Sequence, residues 1–177
     1  MNRGTLIVKD YSLNTKNPNA IFLLCIIYTI HMVEEFCLGF VPWADRYFGN
    51  FDWTQNLIGN SIFMLLLIAA CVLYCKNPTK NFWLGLACVM WVLSNFFIHF
   101  SATILSGEYS PGVVTATVLY LPFGIYFLVT WASQGLLNLR NITLSFIVGG
   151  FIVMLLPTFA RSIILQGELA KIFHFIR

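Results

Sequence analysis

The sequence predicts an all-α integral membrane protein, a bundle of five transmembrane helices. Three observations carry that reading. Of 177 residues, 59% are hydrophobic and only 10% charged, against roughly 45–50% apolar and about 25% charged in a soluble domain. The apolar residues gather into five stretches long enough, or nearly so, to cross about 30 Å of hydrocarbon as helices. No period-two alternation runs through these stretches, which argues against a membrane β-barrel. The same composition excludes a secreted disulfide scaffold, a disordered chain and a soluble enzyme. Ten Lys and Arg face seven Asp and Glu, with no basic tract, so no nucleic-acid partner is expected.

The first stretch, Ala20–Val41, follows Asn17-Pro18-Asn19; Asn suits a helix cap and Pro a first turn. It carries two glutamates and starts after a polar lead, so it reads as a retained span and not a signal peptide. The second, Leu57–Tyr74, and the third, Phe82–Leu105, are separated by Asn77-Pro78-Thr79. Ser110-Pro111-Gly112 then precedes the fourth, Val113–Trp131. Within the fourth, Pro122 should bend the helix and free the Val118 carbonyl. The fifth is Ile142–Phe159. The chain therefore divides into a lead (1–19), a transmembrane domain (20–160) and a tail (161–177). The tail reads equally as a basic amphipathic helix on the membrane surface or as a continuation of the fifth helix. No phosphate-binding glycine motif occurs.

Orientation follows the cations. Arg3, Lys9, Lys16, Lys76, Lys80 and Arg140 fall on one side, and Arg46, Arg161, Lys171 and Arg177 on the other. The expected arrangement is a cytoplasmic N-terminus in the cytoplasmic membrane. Trp43, Trp53, Trp83, Trp131, Tyr47 and Tyr109 fall near span ends, as an interfacial aromatic belt would. Cys25, Cys37, Cys71, Cys75 and Cys88 read as small apolar packing residues.

Ionisable groups inside a membrane are expensive and mark function. Only Glu34 and Glu35 among the acids lie inside a span, joined by His31 and His99. His31, Glu34 and Glu35 stand at i, i+3 and i+4, and so on neighbouring positions of one helix surface. The two glutamates are about 100° apart, which leaves His31 and Glu35 the more collinear pair. On the third span Asn95 and His99 are also i and i+4. With spans one and three running the same way, Glu34, Asn95 and His99 all lie about 20–26 Å from the inner face. Asn60, Thr115, Thr117 and Tyr120 fall at the same end of spans two and four. One polar layer in the outer half is therefore expected, with His31, Glu34, Glu35, Asn95 and His99 as catalytic candidates. Asn60, Thr117 and Tyr120 are the candidates for substrate binding.

His31-Met32-Val33-Glu34-Glu35 resembles the motif of the HXXEE-domain membrane proteins. Asn95-x-x-x-His99 and Tyr109-Ser110-Pro111-Gly112-x-x-Thr115-Ala116 are similar to that family's second and third blocks. The likeness runs from about Ile21 to Thr158 and implies a shared architecture and a shared site, without naming a reaction.

The residues themselves leave two chemistries open. His31, Glu35 and His99 suit a single divalent metal, because two imidazoles and one carboxylate with open positions match mononuclear Fe(II) or Zn centres. A di-iron carboxylate centre would need about four carboxylates. Without metal, the same groups suit acid–base catalysis on a lipophilic small molecule drawn from the bilayer. The i, i+4 spacing already pairs His31 with Glu35, which weighs towards the metal-free reading. A non-catalytic binder or transporter of lipophilic ligands is the alternative function.

Overall fold

The computed structural model describes residues 17–49 and 51–155, and among them every regular element is helical. The lead before Asn17, the last residues of the fifth stretch and the amphipathic tail lie outside the described residues. Four helices are long and apolar enough to cross a membrane: Pro18–Cys37 (α1), Trp53–Lys76 (α3), Phe82–Ser106 (α4) and Val113–Ser133 (α5). A short helix, Phe40–Phe48 (α2), fills the first connection. The fifth stretch forms α6, an α-helix over Leu139–Ser145 that widens into a π-helix over Phe146–Leu155.

Local chemistry explains the ends. Pro18 starts α1 in the first-turn position, where its missing N–H would have had no helical partner. The Asn17 side chain makes no cap bond there. The Asp52 and Asn138 carboxylate and amide oxygens do cap α3 and α6, accepting from Gln55 N–H at 2.8 Å and Asn141 N–H at 2.9 Å. The first stretch stops at Cys37, short of the expected Val41. Gly39 there is left-handed, at φ +78°, and a residue in that region ends a helix. The chain turns over it into α2, so the first connection is helical and not a plain loop.

α1 presents Leu24, Ile27, Tyr28, His31 and Glu35 inward, the 3–4 residue spacing of one helix face. Its opposite face, with Leu23, Ile26, Ile30, Val33 and Phe36, is exposed and apolar. α4 is the central helix, in contact with α3, α5 and α6. α1 packs along α3, and the first turns of α5 pack against both α1 and α4. That wedge positions the site.

α6 lies close on α4. Ser145 Oγ donates to the Trp83 carbonyl at 2.8 Å, and a Cβ added at Gly149 would run into the Ala87 carbonyl oxygen. Small residues let helix backbones approach in this way. Gly149→Ala is therefore expected to push α6 off α4 and lower stability by about 1–3 kcal/mol. A detergent thermal melt would show the change, and Gly59→Ala, with open space around it, is the control that should not.

Candidate functional site

The HxxEE segment splits its two carboxylates between different tasks. Glu34 faces the start of α5, where Gly112 is the N-cap and contributes no capping side chain. The first N–H groups of a helix lack internal partners and attract an anion. Glu34 supplies it from another helix. Its Oε1 accepts from Gly112 and Val114 N–H, both at 3.1 Å, and its Oε2 accepts from Thr115 N–H at 2.7 Å. The Tyr109 hydroxyl also donates to it. Burial and the adjacent Glu34 carboxylate push the Tyr109 phenol well above its usual range, so it stays a donor. Glu34 thus ties α1 to α5.

Glu35, one residue on, turns inward. Its Oε1 lies 3.4 Å from His31 Nε2 and 3.4 Å from His99 Nε2. Two imidazole nitrogens converge on one oxygen. One donor atom from each of His31, Glu35 and His99 falls within 4.8 Å of the others. The three residues are only 1%, 7% and 3% exposed, so the cluster is closed to bulk solvent. The two rings meet edge to face, with centroids 5.0 Å apart.

Each imidazole is held from behind by a hydroxyl. His31 Nδ1 lies 2.8 Å from Thr115 Oγ1, and His99 Nδ1 lies 3.1 Å from Ser110 Oγ. The Thr115 hydroxyl donates its one hydrogen to the Gly112 carbonyl at 3.3 Å. His31 thus turns Nδ1 to Thr115 and Nε2 to Glu35. Gly112 lies under both rings. A Cβ there would stand 2.7 Å from His99 Cε1 and 2.8 Å from His31 Cε1, and the residue has φ +104°.

Tyr109-Ser110-Pro111-Gly112-x-x-Thr115 is therefore one device for holding His31, Glu34 and His99. Sequence reasoning placed Tyr109 in the interfacial belt and gave Ser110 and Gly112 no role beyond a break between spans. Their position within a shared block was the available signal.

Of the substrate-binding candidates, Tyr120 is at the site. It is 1% exposed, and its ring lies 4.7 Å from that of His31. Asn60 stands one step away: it accepts from the Tyr28 hydroxyl and donates to Asn56 Oδ1 at 2.7 Å. It fixes Tyr28, a wall residue one turn before His31. Thr117 is a correction, because it is exposed and spends its hydroxyl on the Val113 carbonyl at 2.7 Å. The cause is a π-helical turn over Ala116–Tyr120. In a regular α-helix Thr117 and Tyr120, three apart, would share a face, whereas Thr115 and Tyr120 would lie about 140° apart. Widening the turn to i→i+5 brings residue 120 back over residue 115. Pro122, which cannot donate to the Val118 carbonyl, follows directly and favours such a distortion.

Asn95 is buried one turn before His99 on α4. On the other side, Phe40 of α2 covers His99 with ring centroids 5.8 Å apart. Arg46 of α2 pairs at 2.9 Å with Glu108, beside the holding segment.

No curated protein and no solved structure matches this chain. Residues 22–127 match the family described as proteins of unknown function with an HXXEE motif, a range that contains His31, Glu34, Glu35, His99 and the whole Tyr109–Tyr120 segment. The chain belongs to the HXXEE family.

Proposed function

We propose that this chain is a five-span membrane enzyme that acts on a lipophilic substrate through one divalent metal held by His31, Glu35 and His99. The observation that carries the reading is the pair of 3.4 Å separations between Glu35 Oε1 and the two Nε2 atoms. A charge-assisted N–H···O bond would bring such atoms to about 2.7–2.9 Å. Two ligands about 2.0–2.2 Å from a tetrahedral ion stand roughly 3.3–3.6 Å apart. Nδ1 bonds that orient metal-binding imidazoles are a common supporting arrangement. Charge supports it too: a divalent ion, ionised Glu34 and ionised Glu35 sum to zero, the cheap state in low dielectric.

A metal with three protein ligands keeps a position for a substrate oxygen or water, which favours catalysis over storage. Two imidazoles and one carboxylate suit Fe(II) or Zn. The four long apolar helices, with α6 as the fifth span, support a multi-pass protein whose cluster lies within the bilayer. The Lys and Arg distribution supports a cytoplasmic N-terminus in the cytoplasmic membrane, and so a site nearer the outer face.

Mass spectrometry of lipid extracts from cells carrying the wild type or Glu35→Gln tests the enzyme reading. An enzyme yields, with the wild type only, a species of new mass or of new chromatographic retention. A carrier or binder changes amounts without creating a new species, and that result would overturn catalysis. The hydroxyl behind His31 gives a second test. Thr115→Val, which keeps the shape, should weaken metal affinity by about 10–100-fold, and Thr115→Ser should restore it. Competition with a chromogenic chelator measures both.

A further inference from the structure

The site contains a buried donor that no described residue uses. Tyr120 is 1% exposed, and its hydroxyl has no hydrogen-bond partner among the described residues. Burying a hydroxyl without a partner is costly, and Phe would fill the same volume without that cost. The contrast with Tyr28 is direct. Both tyrosines belong to the buried cluster around His31, but Tyr28 donates to Asn60. Tyr120 is set against His31 by the π-turn at a ring distance of 4.7 Å, and His31 Nε2 is itself without a hydrogen-bond partner.

We propose that the ligand of this centre is a neutral, lipophilic molecule bearing a hydroxyl or carbonyl oxygen, and that Tyr120 selects it by donating a hydrogen bond to that oxygen. The inference rests on the reading of His31, Glu35 and His99 as a ligand centre. A phenol donates most readily to an uncharged or anionic oxygen, and the charges nearby decide between the two. Among the described residues the cations are Arg46, Lys76, Lys80 and Arg140. Arg46 is exposed and paired with Glu108. Lys76 and Lys80 close the connection at the far end of α3 and α4, and Arg140 begins α6 beyond the far end of α5. Among the described residues, then, no side-chain cation stands ready to receive an anionic headgroup beside Glu34 and Glu35. The surrounding walls are aromatic, with Phe40 against His99 and Trp91 against Tyr28, and they suit an apolar body.

The test uses four probes of equal chain length: 1-decanol, decanal, decanoate and decane. Each is titrated into the full-length protein in detergent. Thermal shift reads binding, and elemental analysis of the same samples reads metal. The expected result is that decanol and decanal stabilise the wild type, while decanoate and decane do not. Tyr120→Phe should keep the wild-type metal content and a baseline Tm no lower than wild type. Its decanol affinity should fall about tenfold, the factor for one lost hydrogen bond. Equal stabilisation by decane, tightest binding of decanoate, or an unchanged decanol affinity in Tyr120→Phe would each overturn the inference. A Tyr120-dependent decanol response in a protein that holds no metal would refute the metal centre and leave this inference standing.

Discussion

Replacing Gly112 with alanine is expected to dismantle the site and destabilise the protein together. The residue holds φ +104°, and an added methyl would press on Cε1 of both imidazoles at 2.7 and 2.8 Å. Backbone strain of about 1–3 kcal/mol adds to overpacking of about 1–3 kcal/mol. The rings cannot retreat freely, because each Nδ1 is bonded to a hydroxyl on the same segment as Gly112. The sum, about 2–6 kcal/mol, should appear as a large fall in the detergent melting temperature, with loss of bound metal in whatever fraction remains folded. Gly107→Ala provides the comparison. Gly107 also has a positive φ, +67°, but nothing lies near its missing side chain, so only the strain should register. Equal effects of the two substitutions would show that Gly112 does not support the histidines.

Adjacent glutamates should give opposite phenotypes. Glu35→Gln removes a charge from a closed cluster in which two imidazoles face it. It should abolish metal binding and activity while leaving the melting temperature of the metal-free protein nearly unchanged, since intramembrane polar contacts average only about 0.6 kcal/mol. Glu34→Gln should do the reverse. An amide has one acceptor oxygen and no charge to offer four donors at the α5 start. The expected cost is about 1–3 kcal/mol, with metal still bound, though more weakly as α5 loosens. Melting curves and metal content measured on both variants decide the matter. A large stability loss in Glu35→Gln with none in Glu34→Gln would invert the assignment.

Much of this was legible in the amino-acid order. Helical spacing put His31 beside Glu35 and left Glu34 about 100° away, and those angles become the division between an inward carboxylate and an outward cap. Equal depth on two helices running the same way brought His99 to the same layer. Other features were hidden for identifiable reasons. The apolar run Leu38–Val41 looks like continuing helix, and only the left-handed Gly39 ends it. Thr117 and Thr115 could not be told apart by a 3.6-residue period, because the backbone leaves that period at the π-turn. Tyr109 and Ser110 act from a connection, where no periodicity reports which way a side chain points. Their partners, Glu34 and His99, lie 75 and 11 residues away in sequence.

The central claim is that His31, Glu35 and His99 form a metal centre. Its most direct test is elemental analysis for Fe, Zn, Mn and Cu on full-length protein purified in mild detergent, without chelator and without added metal. The account predicts about one ion per chain in the wild type, reduced to background in both His31→Ala and His99→Ala while each variant stays folded. A folded wild type that carries no metal, and takes up none when titrated with Fe(II) or Zn, would contradict it.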